Sequence, residues 1–291
     1  MKNAFTNLRY FFEYIVVLIF WYFFRLFSID TSSYLGGKLA LFIGSLLPAN
    51  KTAMANLAKC FPTMAKTERK LIIRKMWENL GRIIGELPHW HAMSDSEFTK
   101  RVTLAFPDAA PSVLSILPGN FCLSAHYGNW EIYCKLYQIC NIEADFVYRP
   151  ANNPLVDKII NQQRNLPKIN LIKKGRSGVR QIIRSLQENR CIGMLIDQRT
   201  DDGITVPFLG FAAKTTAAPA NIALKYKKDI ILSRVVRTNG ARYRVDFFAP
   251  IKFNHQDTAE KIMTKVNNYL EKWIREHPEQ WFWVHNRWGK L

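Results

Sequence analysis

His126-Tyr127-Gly128-Asn129-Trp130-Glu131 places a base-capable imidazole and a carboxylate five residues apart, directly after the apolar run Phe121-Cys122-Leu123-Ser124-Ala125. An imidazole with a reference pKa of about 6.5 can accept a proton near neutral pH, and a carboxylate can hold its ring and stabilise the imidazolium that forms. The pair suits general-base activation of a hydroxyl, with His126 as the base and Glu131 as its partner. The spacing by itself says little, because a histidine beside aromatic residues is more often structural.

Two further apolar runs also end on ionisable groups. Glu143 to Val147 runs into Tyr148-Arg149-Pro150, and Cys191 to Ile196 runs into Asp197-Gln198-Arg199. If the three runs are parallel strands, His126, Arg149 and Asp197 converge on one rim, where open α/β sheets collect ligands. Arg149 could hold a phosphate or carboxylate in its fork, or pair with Asp197. Ser124 and Cys122 offer a covalent alternative, but both lie inside the run rather than at a turn. His89, His91 and His126 lack the further carboxylate or cysteine that would complete a metal site, so neither metal nor cofactor is expected. His277 and His285 read as structural or surface residues.

The elements that must position these groups are legible in outline. Asn153-Pro154 forms an N-cap and first helical position, opening a helix that carries Arg164 and stops before Pro167. Ser177 can cap the next helix, whose Val179, Ile182, Ile183 and Leu186 share one face. The order from 120 to 196 then reads strand, helix, strand, helix, strand, which implies crossover units and a mixed, mainly parallel α/β sheet flanked by helices. Thr200 to Thr216 combines turn residues with Phe208, Leu209 and Phe211, as a lid or ligand wall does, with partial packing on a neighbour the alternative. Residues 230–237 and 241–249 form a hairpin around Thr238-Asn239-Gly240. Asp257 caps a last helix with Ile262, Val266, Tyr269, Leu270 and Trp273 as its apolar stripe. The final stretch, Trp281 to Trp288, is too aromatic for a solvated tail.

With 291 residues and 48% apolar content, the chain can bury one large core, with or without an extension. Its five cysteines include no C-x-x-C pair, and two lie in strand-like runs, which fits a reduced cytosolic setting. Between Tyr10 and Phe27 the charges are Glu13 and Arg25, and ten residues are aromatic. A helix over this run is roughly 27 Å long, against about 30 Å for a hydrocarbon core. No small-residue cleavage site follows it, so a membrane anchor is expected rather than a removed signal, with a buried core helix the alternative. The stretch from Tyr34 to Leu47 is expected to pack on the body or at the interface. The chain thus divides into an anchor over 1–30 and a catalytic domain over 31–291.

The net charge of +18 admits nucleic acid, an anionic leaflet or an acidic partner. Beside an anchor, the membrane is favoured and nucleic acid is not expected. Basic residues gather near the rim and its flanks, at Arg149, Lys158, Arg164, Lys168, Lys173, Lys174, Arg176, Arg199 and Lys214.

Taken together, several segments resemble the late acyltransferases of lipid A biosynthesis, the lauroyl and myristoyl transferases. They are His126 to Glu131, Tyr148 to Pro154 with Asp157 and Arg164, Gly193 to Gln198, Val206 to Gly210, and the closing Trp281-x-Trp-x-His-x-Arg-Trp288. Ala55-Asn56-Leu57, Cys60-Phe61-Pro62 and Trp77 to Arg82 extend the likeness over nearly the whole chain. The His-x4-Glu element alone would indicate only the wider glycerolipid acyltransferase superfamily. The resemblance implies a glycerol-3-phosphate acyltransferase-like fold and a cytoplasmic-face inner-membrane enzyme. It would move an acyl chain from acyl carrier protein to a hydroxyl of a phosphorylated, Kdo-bearing lipid A precursor. A related membrane acyltransferase with another glycolipid acceptor is the alternative. The likeness further implies functional roles for Arg164 and Asp197, which on their own read as a helix-terminal charge and a turn residue. Tyr148, Arg149 and Asn129 complete the expected substrate-binding or supporting set.

Overall fold

A computed structural model describes residues 2–254 and 256–289, so the expected outer limits at 1 and 291 fall outside the described residues. A helical N-terminal third precedes the sheet: α1 (Lys2–Arg25), α2 (Ile29–Leu46), α3 (Ala49–Cys60), α4 (Lys66–Trp90) and α5 (Asp95–Arg101). There follow β1 (Val102–Ala105), β2 (Phe121–Ser124), α6 (Tyr133–Ile139), β3 (Ala144–Tyr148), α7 (Pro154–Arg164), β4 (Ile169–Lys173), α8 (Arg176–Gln187) and β5 (Cys191–Leu195). A small hairpin, β6 (Ile204–Phe208) and β7 (Phe211–Thr215), then leads to α9 (Ala218–Tyr226), β8 (Ile230–Asn239), β9 (Arg242–Phe247) and α10 (Ala259–Glu276).

The central sheet has the order β1-β9-β8-β2-β5-β3-β4, with every neighbouring pair parallel except the β8–β9 hairpin. This is the mixed, mainly parallel α/β sheet flanked by helices that the alternation implies. β2 and β5 lie in its middle, and their mainly apolar content follows from cover on both faces. Phe121 and Leu123 pack into the core that holds Trp273, Trp281 and Trp283, whereas Cys122 faces the core of Tyr133 and Tyr137. The aromatic C-terminal stretch is therefore interior, as its composition requires.

Several local expectations change. The order between 120 and 196 contains one more strand and one more helix than expected, because β4 closes the sheet edge after α7 and α6 follows β2. Asn153 does cap α7, accepting from the Leu155 amide at 3.0 Å. Ser177 does not cap α8; Gly175 occupies that position with φ 145°, a left-handed-side conformation suited to glycine. Thr258 rather than Asp257 caps α10, through a hydroxyl that accepts from Lys261 N. The stretch from 200 to 216 is the β6–β7 hairpin, not an open lid. Phe208 and Leu209 are buried against α10 and the C-terminal tryptophans, while Thr200, Asp202 and Thr216 still form part of a ligand-sized wall.

The N-terminal helices are held by close backbone contact. A Cβ on Gly36 of α2 would lie 2.3 Å from the Gly81 carbonyl oxygen of α4, so the two helices meet without side chains between them. α1 begins earlier than the apolar run suggests, and the apolar stretch from Phe5 to Arg25 is largely unburied by the rest of the protein. Phe24 is the buried exception, and its carbonyl accepts from Ser32 Oγ of α2 at 2.7 Å. α2 leaves Phe42, Ile43 and Leu46 exposed on its outer side.

Candidate active site

Parallel pairing sets the site. Ser124 of β2 registers with Leu195 of β5, so the residues two further on, His126 and Asp197, leave the sheet side by side. Nδ1 of His126 lies 2.8 Å from Asp197 Oδ1, and the His126 amide donates to Oδ2 at 3.0 Å. Trp281 Nε1 donates to the same Oδ2 at 2.8 Å, so the buried carboxylate has three ordered donors. Burial would push the Asp197 carboxyl up, but the adjacent imidazole and these hydrogen bonds outweigh it and hold the group well below the usual carboxylate range. An ionised Asp197 fixes the proton of His126 on Nδ1, which leaves the Nε2 lone pair free to act as a base.

The expected partnership of His126 with Glu131 is corrected here, since Asp197 holds the ring and Glu131 turns elsewhere. A tight turn from Trp130 to Ile132 carries Glu131 toward α7, where Arg164 donates from Nε at 2.9 Å and Nη2 at 2.6 Å. Trp130 Nε1 adds a third donor at 3.0 Å. Burial raises the Glu131 carboxyl, and the Arg164 guanidinium overcomes this to lower it. Burial also works against the charge on Arg164, and Glu131 raises its pKa above the ordinary value. The Trp130 ring stands edge-on to His126 at 5.0 Å, between the two charged pairs.

Gly128 shapes the loop that connects them. Its φ is +62°, and a Cβ would lie 1.8 Å from the Val235 carbonyl oxygen, so only glycine fits. Asn129 is fully buried and faces away from the ligand side. Its Oδ1 accepts from the Glu131 amide at 3.2 Å, and its Nδ2 donates to Glu86 Oε2 at 2.8 Å. Glu86, also fully buried, is further bound by Arg237, Tyr243 and Ser33. Asn129 thus supports the turn from within the protein, and Glu86 is a member of this buried network that sequence reasoning missed. Nothing distinguishes it from the other charges of an amphipathic helix.

His126, Glu131, Arg164, Tyr148 and Arg149 line one cavity of about 750 Å³. Its inner wall is apolar and aromatic, with Tyr133, Tyr137, Phe146 and Met194, and its rim carries Arg149, Lys173, Lys174 and Arg176. Arg149 is exposed and makes no ion pair among the described residues, so the alternative of pairing with Asp197 is set aside. Tyr148 accepts from Asn161 Nδ2 at 3.1 Å. Lys158, Lys168, Arg199 and Lys214 lie outside the cavity lining, with Lys168 on Asn141 and Arg199 on Asp201.

Two further residues, His285 and Gln198, line the site. His285, expected to be structural or on the surface, lies 5.6 Å from the His126 ring, centre to centre. Gln198 stands between them, with Nε2 at 3.3 Å from His126 Nε2 and 3.0 Å from His285 Nε2. The candidate covalent nucleophiles are engaged elsewhere: Ser124 with the Tyr133 hydroxyl at 3.0 Å, and Cys122 with Ser233 at 3.2 Å. Burial also pushes the Cys122 thiol up, away from the reactive thiolate.

A mainly parallel α/β sheet with a carboxylate-held histidine over an apolar, basic-rimmed cavity defines the class. Residues 1–290 match the family described as bacterial lipid A biosynthesis acyltransferase, and the chain belongs to that family. It is similar to the lipid A biosynthesis palmitoleoyltransferase of Escherichia coli (strain K12), with 22% identity over 291 residues, covering 98% of this chain and 94% of the relative. The lipid A biosynthesis lauroyltransferase of the same strain is 23% identical over 255 residues, covering 86% and 82%. A lipid A biosynthesis acyltransferase of Haemophilus influenzae (strain ATCC 51907 / DSM 11121 / KW20 / Rd) is 24% identical over 240 residues, covering 81% and 76%.

Proposed function

We propose that the protein transfers a fatty acyl chain from the thioester of acyl carrier protein to a hydroxyl of a Kdo-bearing lipid A precursor. The observation that carries this reading is the ring of His126, held through Nδ1 by Asp197 and lining the 750 Å³ cavity. The acceptor hydroxyl gives its proton to Nε2 as its oxygen bonds to the thioester carbonyl carbon. Collapse of the tetrahedral intermediate breaks the carbon–sulfur bond, and the departing thiolate takes the proton back from His126. Asp197 stabilises the imidazolium formed between the two transfers, and such general-base help typically contributes about 10²–10⁴-fold. Glu131 and Arg164 act as one unit that holds the Trp130 side of the base, with the Glu131 carboxylate adding favourable charge. The aromatic inner wall suits an acyl chain, and the exposed cations of the rim suit acceptor phosphates.

In this reading residues 1–30 attach residues 31–291 to the cytoplasmic face of the inner membrane. The 21 residues from Phe5 to Arg25 are long enough, at about 1.5 Å each, for a hydrocarbon core of about 30 Å. The surplus of basic residues complements an anionic leaflet. The test is to incubate the purified protein with dodecanoyl, tetradecanoyl and hexadecenoyl thioesters of acyl carrier protein and a tetra-acylated, Kdo-bearing precursor. A product heavier by one acyl group is expected by mass spectrometry. Absence of product with every donor would overturn the reading.

A further inference from the structure

Gln198 occupies the place on His126 that an attacking hydroxyl needs. With Nδ1–H of His126 donated to Asp197, Nε2 is an acceptor, and the atom facing it at 3.3 Å is Gln198 Nε2. The same amide nitrogen lies 3.0 Å from Nε2 of His285. One NH2 group has two hydrogens, and two neutral imidazole acceptors use both. His285 is in turn fixed from outside the cavity: Asn56 Nδ2 donates to its carbonyl at 2.8 Å, and the Phe282 ring packs edge-on at 4.8 Å. Burial, with His126 nearby, lowers the His285 pKa to about 4, which keeps its ring neutral at neutral pH, and Nε2 accepts from Gln198 in the tautomer protonated on Nδ1. All three side chains line the cavity.

Resting on the acyl-transfer reading above, we propose that Gln198, anchored by His285, is a positioning residue. It covers the base of His126 until the acceptor hydroxyl displaces it, and so keeps water from being activated against a bound thioester. The side reaction it restrains is balanced simply. A water oxygen bonds to the carbonyl carbon and its proton passes to His126 Nε2. The carbon–sulfur bond then breaks, and the thiolate takes up the proton, giving free fatty acid and thiol. A lipid acceptor, held by many contacts across the cavity, has binding energy available to move one amide aside. Water has none, and must compete with an already oriented donor.

The experiment measures two rates on the purified full-length protein: hydrolysis of acyl carrier protein thioester without acceptor, and transfer to the tetra-acylated precursor. Gln198→Ala uncovers Nε2. His285→Phe keeps the ring packed on Phe282 but removes the anchoring acceptor. In both variants the ratio of hydrolysis to transfer is expected to rise roughly three- to tenfold, the range set by one neutral hydrogen bond. A loss of fold or a general loosening would lower both rates together instead, so the ratio separates positioning from structure. If hydrolysis without acceptor stays at the wild-type rate or falls in both variants, the inference is overturned. Wild-type protein that makes no acylated acceptor at all would instead overturn the acyl-transfer reading.

Discussion

Asp197 Oδ1 lies 2.8 Å from Nδ1 of His126, although 71 residues separate the two in the chain. The contact is a product of the β2–β5 register, and it makes Asp197, not the nearby Glu131, the group that sets the tautomer of His126.

Asp197→Asn is therefore expected to cost about 10²–10⁴-fold in acyl-transfer rate, because the amide can present the wrong atom to Nδ1 and cannot balance an imidazolium. Trp281→Phe removes one of three donors to the carboxylate and should cost much less, on the order of tenfold or below. Steady-state rates with one donor and one acceptor would check both. Equal losses in the two variants would argue that Asp197 acts only as a structural anchor.

This division of labour marks where the sequence was readable. The three strand ends were legible because apolar runs of strand length stop at His126, Tyr148-Arg149 and Asp197, and parallel strands bring such ends to one rim. The helix cap at Asn153-Pro154 and the β8–β9 hairpin were legible for the same local reason. The choice of carboxylate was not, because it depends on which strands are neighbours in the sheet. Glu131 is closer in sequence but is carried away by the turn that follows Asn129. Gln198 and His285 meet only because the C-terminal aromatic stretch is buried beside β5, and no spacing within either segment announces that.

The Glu131–Arg164 pair predicts a non-additive stability pattern. Their side chains are 9% and 20% exposed, so removing one partner strands a mostly buried charge, at a cost of about 3 kcal/mol. Glu131→Gln and Arg164→Met should each lower the thermal midpoint more than the double variant does. Arg164→Lys keeps the charge but loses the two-point fork, and should fall between wild type and Arg164→Met in both stability and activity. Additive losses in the double variant would show that the two side chains act independently.

Acidification should destabilise the fold before it reaches the ordinary carboxylate range. Between about pH 6.5, the usual histidine value, and pH 4, an unfolded chain binds a proton at His285 that the folded chain refuses. Folded stability from this site is thus full above that window and is lost as pH falls through it, by at most about 1.4 kcal/mol per pH unit. Asp197, whose pKa is depressed, loses its contribution only at lower pH. Thermal midpoints in detergent from pH 7 to 4.5 should fall less steeply for His285→Phe than for wild type. Parallel slopes would remove His285 as the cause.

Deleting residues 1–22, which leaves Phe24 and its contact with Ser32 in place, should weaken membrane association without unfolding the body. The exposed Phe42, Ile43 and Leu46 of α2 and the basic surface should retain part of the protein on vesicles containing anionic lipid. That remainder should fall with added salt, since exposed charges are screened within about 8 Å at physiological ionic strength. Vesicle co-sedimentation measures each term, and full-length protein that stays in the supernatant would contradict both.

The most direct test of direct, His126-catalysed attack is a single-turnover reaction of wild-type and His126→Ala protein, paired with intact-protein mass after mixing with donor thioester alone. A loss of about 10²–10⁴-fold or more is expected in the variant, with no acyl group on the protein. Turnover at the wild-type rate in His126→Ala, or a protein mass increased by one acyl group through Ser124 or Cys122, would contradict it.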